Sequence, residues 1–207
     1  MLSWPRFVAM LVLALLVTAT GAYAPALLRQ HERAQLQTID IPFLQSMRVH
    51  HDQAISMAAS VLDSSDPLAR QIAHEIYNTQ LQETGYMRGL LAAWQALPMP
   101  SGELWDWMLV NADAQTAEFV SRCRSGGKML GMATQEELNT LYSSTGKDKV
   151  LLFATMMTDH HLAAIEMLRH AAQHAHSPDV RSLAAGMMAA QRKELLQLSR
   201  LAIQTGS

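Results

Sequence analysis

The sequence predicts an all-helical protein in which two repeated helical hairpins pack into a four-helix bundle, with a hydrophobic helix at the N-terminus. Apolar residues recur at intervals of three and four along most of the 207-residue chain, which is the period of a helix and differs from the alternation of a strand. The chain also matches itself at a separation of 110 and then 111 residues. With 49% hydrophobic and 16% charged residues, the composition suits one compact domain beside an appendage.

The first element is an uncharged segment over residues 7–28. As a helix it would reach roughly 33 Å, about the thickness of the hydrocarbon layer of a membrane. We therefore predict that residues 1–29 anchor the protein in a membrane, with the remainder outside the cytoplasm. A cleaved signal peptide is the alternative, because Ala22-Tyr23-Ala24 has the form of a cleavage site although Pro25 follows it, and the product would then be secreted or periplasmic. A buried cytosolic helix is the remaining alternative.

The repeat defines two helical hairpins, over residues 40–97 and 146–204, within one domain of residues 40–204. The first copy contains Phe43, Leu44, Met47, His50, His51, Ala54, Ile55 and Met57, and the second contains Phe153, Ala154, Met157, His160, His161, Ala164, Ile165 and Met167. Gln80 and Glu83 match Gln191 and Glu194, so the repeat continues into the second helix of each hairpin. Two such hairpins make a four-helix bundle.

Local sequence predicts where several helices begin. Asp66 and Ser177 each precede a proline, which is the arrangement expected at the start of a helix, and they mark the second helix of each hairpin. Residues 98–145 form a connector that contains Pro100 and two adjacent glycines, with a short helix near residues 111–122. Thr134 and Glu137 have the spacing of a capping box, so a further short helix begins there.

Charge and cysteine content exclude several classes of protein. The net charge of −2, with no long basic stretch, argues against a nucleic-acid partner. The single cysteine, Cys123, rules out an internal disulfide framework, and we expect it to be a small buried residue. No arrangement of a catalytic nucleophile and no phosphate-binding glycine loop is visible, so we predict that the protein is not an enzyme.

Methionine and histidine are unusually frequent, with 14 and 9 residues, and the histidines include one adjacent pair in each repeat. On a helical wheel both imidazoles of a pair flank the apolar stripe. One such histidine is commonly an ordinary hydrogen-bonded core residue, but repeating the pair repeats the desolvation cost and favours a metal site at which two facing helices converge. The predicted ligands are His50, His51, His160, His161, Met47, Met57, Met157 and Met167. Thioethers favour Cu(I) and imidazoles accept Cu(II) and Zn(II), so copper is the first choice and zinc the second.

Other polar residues are open to two interpretations. Gln80, Glu83, Gln191 and Glu194 could hydrogen-bond the histidine rings from behind, or could belong to a solvated helix face. Glu166, His170 and His174 recur every four residues near His176 and could form a second metal patch, but the first copy has nothing similar, so we expect them to be exposed. Trp94, Trp105 and Trp107 are expected to hold the connector against the bundle.

The paired F-L-x-x-M-x-x-H-H-x-x-A-I-x-M segments, the later Q-x-x-E and Gly131-Met132-Ala133 before the second copy together resemble the ferritin-like family known as domain of unknown function 305. The resemblance extends over roughly residues 40–202. It implies a ferritin-like four-helix bundle, export and, as in some members, copper binding through histidine and methionine.

We therefore interpret the chain as an exported, membrane-tethered metal-binding protein that sequesters copper or passes it on. One alternative is a membrane-anchored structural or interaction bundle that binds no metal. A ferritin-like metal oxidase is less favoured, because di-iron sites need Glu-x-x-His pairs that neither copy supplies. The oxidation state of the copper, the number of sites, a homo-oligomer and a metal-delivery partner are not determined by the sequence.

Overall fold

A computed structural model describes Trp4 and residues 25–206, and this part of the chain is all-helical and contains no strand, as the sequence predicts. Residues 25–36 are helical. The elements that follow are α1 (Asp40–Ala59), α2 (Pro67–Ala93), a 3-10 helix (Asp106–Leu109), α3 (Ala114–Gly126), α4 (Gln135–Ser143), α5 (Gly146–His174) and α6 (Pro178–Gly206).

The anchor or signal segment predicted at residues 1–29 lies outside the described residues, except for Trp4 and for residues 25–29, which are helical and exposed. Among the helices that the structure describes, none combines the length and the apolar character needed to cross a membrane.

Capping side chains set the starts of several helices where the sequence predicts them. The carboxylate of Asp66 accepts hydrogen bonds from the amides of Leu68 and Ala69, so α2 begins at Pro67. Thr134 and Glu137 form a complete capping box at the start of α4. The predicted helix near residues 111–122 lies at Ala114–Gly126, because the carboxylate of Asp113 caps the amide of Thr116.

The start of α6 depends on a residue of the first hairpin. Helix α6 begins at Pro178, as predicted, but the amides of His176 and Ser177 before it donate to the buried carboxylate of Asp40, at 2.8 and 2.7 Å. Asp40 is the first residue of α1. One buried carboxylate therefore ties the start of the first hairpin to the turn of the second.

The four long helices pack in a ring of neighbours. Helix α1 packs on α2 and α5 packs on α6, which are the two predicted hairpins, and the hairpins meet through contacts of α1 with α5 and of α2 with α6. Helices α3 and α4 of the connector both pack on α5.

Buried apolar side chains form two separate cores. The tryptophan core contains Phe43, Leu44, Met47, Met87, Leu91, Trp105, Trp107, Ala164, Met167, Leu168, Ala184 and Met187. The opposite core contains Ala54, Met57, Ile72, Ile76, Phe153, Met157, Leu198 and Leu201. Both Trp105 and Trp107 are 5% exposed and Trp94 packs beside them, so the tryptophans attach the connector to the helices as predicted.

Candidate metal centre

A polar layer separates the two cores. Along each of the four long helices, buried residues of one core are followed by polar residues and then by buried residues of the other core. We call these polar residues the histidine layer: His50, His51, Gln80, Glu83, His160, His161, Gln191 and Glu194. All four histidines have no exposed surface. The repeat therefore places four imidazoles at one level inside the protein.

His50 and His160 meet at the contact between α1 and α5. Their ring centroids are 3.6 Å apart and the ring planes are inclined by 37°. No nitrogen of either ring makes a hydrogen bond. Burial, followed by the charge of the neighbouring imidazoles, holds the pKa of both residues well below the usual value for histidine. Both rings are consequently uncharged at neutral pH, and each has a nitrogen lone pair.

Each of the other two histidines is held by a glutamate of its own hairpin. His51 Nε2 lies 2.8 Å from Glu83 Oε2, and the equivalent His161 Nε2 lies 2.6 Å from Glu194 Oε2. Because an ionised carboxylate can only accept, the Nε2 atoms carry the protons in these bonds. In the neutral imidazole, Nδ1 then has the lone pair, and neither Nδ1 atom has a hydrogen-bond partner. The glutamates thus orient these rings as such partners do behind metal-binding histidines.

The remaining polar groups of the layer are also unsatisfied. Gln80 and Gln191 are 1% exposed, and none of their amide atoms makes a hydrogen bond. Within the described part of the chain, ten of the eighteen buried side-chain nitrogen and oxygen atoms without a partner belong to the histidine layer. A buried polar atom without a partner costs roughly 1–3 kcal/mol. This concentration of unpaired atoms is the feature that most distinguishes the layer from an ordinary core.

Sequence reasoning did not identify Thr84, whose buried hydroxyl also lacks a partner. Thr84 follows Gln80 by one helical turn, which could have indicated its position. The repeat could not have indicated Thr84, because the matching residue in the second hairpin is Leu195.

The four predicted methionine ligands are fully buried and lie on both sides of the layer. Met47 and Met167 belong to the tryptophan core, and Met57 and Met157 belong to the opposite core. The structure therefore groups methionines from different hairpins, rather than the two methionines of one hairpin. Among the residues it describes, no three His, Cys, Asp or Glu side chains are arranged around a common metal position.

The connector passes directly over the helix that bears His160. Gly131 has a φ of +77°, and a Cβ built on it would lie 2.5 Å from Ala163 Cβ and 3.1 Å from His160 Cα. Two hydrogen bonds between the Gln53 amide and the backbone of Ala133, of 2.9 and 2.7 Å, fasten the adjacent residues to α1. A surface groove of about 490 Å³ lies beside this crossing. The groove is lined by Met132, Met156, Asp159 and residues of the connector.

The expected exposure of the second histidine patch is wrong for two of its members. Glu166 is 7% and His170 is 1% exposed, whereas His176 is exposed. Connector helix α3 covers Glu166, whose carboxylate accepts hydrogen bonds from Thr116 and Arg169. The first copy has no counterpart to this arrangement because connector helix α3 packs on α5. Cys123 is buried, as expected, and burial raises the pKa of its thiol.

Comparison with known proteins identifies the family of this chain. The family model described as domain of unknown function (DUF305) matches residues 40–202. A DUF305 protein from Streptomyces coelicolor, thought to be secreted, has a similar structure with a TM-score of 0.69 at 28% identity, over 80% of this chain and 93% of that one. A DUF305 fragment from Deinococcus radiodurans gives a TM-score of 0.61 at 24% identity, over 79% and 95% of the two chains.

A further similar structure is that of CopM, solved in Cu(I)-bound and Cu(II)-bound forms. The TM-scores are 0.56 and 0.59 at 21% identity, and the alignment covers 78% of this chain and 93% or 94% of CopM. At this identity the likeness concerns the fold. No protein of curated function matches the chain.

Proposed function

The chain belongs to the DUF305 family, and from this membership and the geometry of the histidine layer we propose that it binds copper outside the cytoplasm, to sequester it or to pass it on. The observation that carries the proposal is the set of four fully buried imidazoles whose free nitrogen atoms have no partner within the protein. Copper bound as cargo would satisfy those nitrogens. No catalytic turnover is required.

The donor set favours copper over other metals. Uncharged imidazoles bind Cu(I), Cu(II) and Zn(II), and the thioethers of Met47, Met57, Met157 and Met167 on either side of the layer favour Cu(I). Glu83 and Glu194 supply negative charge at the edge of the layer, which offsets the charge of a buried cation. Zinc is the second choice. That CopM, a protein of similar fold, is known in both copper-bound forms supports this assignment.

The architecture and the location are part of the same proposal. The ring of contacts among α1, α2, α5 and α6 supports a ferritin-like four-helix bundle. Export is supported by the uncharged segment at residues 7–28 and by the relative from Streptomyces coelicolor that is thought to be secreted. We propose that this segment tethers the protein to a membrane, with release after cleavage as the alternative. Fractionation of cells that express the full chain distinguishes the two.

The decisive experiment is an anaerobic titration of the full-length protein with Cu(I) against a chromophoric Cu(I) chelator. The variant H50L/H160L removes the two imidazoles without partners and should lose at least about 100-fold in Cu(I) affinity, since loss of a residue that only supports a ligand already costs 10–100-fold. The matched control H74A/H176A removes two exposed histidines and should bind as the unaltered protein does.

Two results would redirect the assignment. Unchanged Cu(I) affinity in H50L/H160L would favour a structural or interaction role for the layer. A tighter response to Zn(II) than to Cu(I), lost in the same variant, would make zinc the cargo.

A further inference from the structure

Helix α5 carries two histidines that have no counterpart in the first hairpin. His170 and His174 lie at the C-terminal end of α5. Subtracting the repeat separation of 110 residues leads to Ser60 and Ser64, which follow the end of α1 at Ala59. Helix α5 therefore continues beyond the part that the repeat explains, and its extension carries imidazoles.

The two rings lie close together on one face of the helix. Their centroids are 4.7 Å apart, on consecutive helical turns. His170 is 1% exposed, and neither of its ring nitrogens makes a hydrogen bond, whereas His174 is half-buried and reaches the surface. Two histidines four residues apart on a helix can bind a single metal ion, as in helical zinc motifs.

The surroundings of His170 keep its ring uncharged. Trp107 lies on its other side, with ring centroids 5.6 Å apart, and the indole N–H of Trp107 donates to Leu104 instead. Burial, followed by the charge of His174, lowers the pKa of His170 to about 4. Its nitrogen lone pair is consequently free at neutral pH.

The nearby charges tolerate a cation. Glu166 lies one turn before His170, and its carboxylate and that of Asp113 from the connector both contact the guanidinium of Arg169, so these three side chains have a net charge of −1. An added divalent ion at His170 and His174 would therefore face a slightly negative neighbourhood.

We propose that His170 and His174 form a second metal site that takes a borderline divalent cation, Zn(II) or Cu(II), through two imidazole nitrogens with water as the remaining ligands. Imidazole ligands without a thioether suit these ions better than Cu(I). The site is distinct from the histidine layer, because ten residues of helix, roughly 15 Å, separate His170 from His160. It does not depend on the function proposed for that layer.

The test is a calorimetric titration of the full-length protein with Zn(II). H170A/H174A should bind one equivalent of Zn(II) fewer than the unaltered protein, and the control H31A/H74A, which removes two exposed histidines away from this site, should bind the full number. The single variant H174A leaves the buried His170 in place, so it tests the site even if the double variant does not fold. It should weaken the same binding step by more than about tenfold.

The outcomes separate this site from the layer. H170A/H174A should retain its Cu(I) affinity, and H50L/H160L should retain the Zn(II) equivalent that depends on His174. Zn(II) stoichiometry and affinities that are unchanged in both H174A and H170A/H174A would overturn the proposal, whatever the result for Cu(I).

Discussion

The imidazole rings of His50 and His160 lie 3.6 Å apart, although 110 residues of chain separate them. Equivalent residues of the two repeats therefore meet face to face at the contact of α1 with α5. Neither ring has a hydrogen-bond partner, and burial keeps both uncharged. Two polar rings buried in this way lower the stability of the protein, which is difficult to explain unless a ligand uses them.

We expect H50L/H160L to be at least as stable as the unaltered protein in the absence of metal. Leucine of similar size removes four buried nitrogens that lack partners, and replacing such groups by apolar ones is close to neutral or stabilising. The free energy of unfolding, measured by urea denaturation with a chelator present, should change by between 0 and about +2 kcal/mol. A loss of more than about 2 kcal/mol would mean that the rings stabilise the fold, against a primary role in metal binding.

Much of the fold follows from local sequence chemistry. Asp66 before Pro67, and Thr134 with Glu137, fix helix starts through side chains that bond to their own backbone, so a few residues carry the whole signal. The repeat likewise predicts that the histidine pairs occupy equivalent places. It cannot give the direction in which α1 and α5 pass each other.

The relative direction of α1 and α5 decides which side chains share a core. Met47 lies in the same core as Met167, and Met57 in the same core as Met157, because the order of the two cores along α1 is the reverse of that along α5. The contact of connector helix α3 with Glu166 could not be predicted from the sequence either. Glu166 is buried because α3 packs over it, a long-range contact that periodicity within one helix does not encode.

The two glutamates of the layer should differ in their effect on stability. Glu194→Ala leaves the Nε2–H of His161 buried without an acceptor, which costs roughly 1–3 kcal/mol. The side chain of Glu83 is 16% exposed, compared with 7% for Glu194, so water can replace it and Glu83→Ala should cost less. Urea denaturation of the two variants measures the difference. Equal losses would show that water does not reach His51.

The stability of the metal-free protein should fall as the pH is lowered from about 6.5. The unfolded chain takes up protons on His50 and His160 near that pH, whereas the folded protein, in which both have a lowered pKa, does not. Because the unfolded state then binds more protons, the free energy of unfolding rises with pH across this window. His170 adds to this rise between about pH 4 and 6.5. Each group contributes a slope of up to about 1.4 kcal/mol per pH unit.

The variant H50L/H160L isolates the part of this pH dependence that comes from the histidine layer. Below about pH 6.5 the slope of the free energy of unfolding against pH should be smaller in H50L/H160L, by up to about 3 kcal/mol per pH unit, which is the largest contribution that two such groups can make together. Urea denaturation at several pH values, with His74→Ala as the exposed control, measures the slope. An identical slope in H50L/H160L and in the unaltered protein would contradict the lowered pKa values.

Gly131 and Gly127 provide a matched pair for testing how the connector is seated against α5. Both have positive φ, +77° and +63°, so alanine at either position costs roughly 1–2 kcal/mol in backbone strain. Only at position 131 would the new Cβ collide, at 2.5 Å from Ala163 Cβ and 2.7 Å from Asp159 O, whereas nothing lies within 4 Å at position 127. Gly131→Ala should therefore be less stable than Gly127→Ala by about 1–3 kcal/mol in urea denaturation. Because the connector at Gly131 rests on the backbone of His160, the first variant should also weaken Cu(I) binding while the second leaves it unchanged. Equal stability of the two variants would show that the connector yields without disturbing α5.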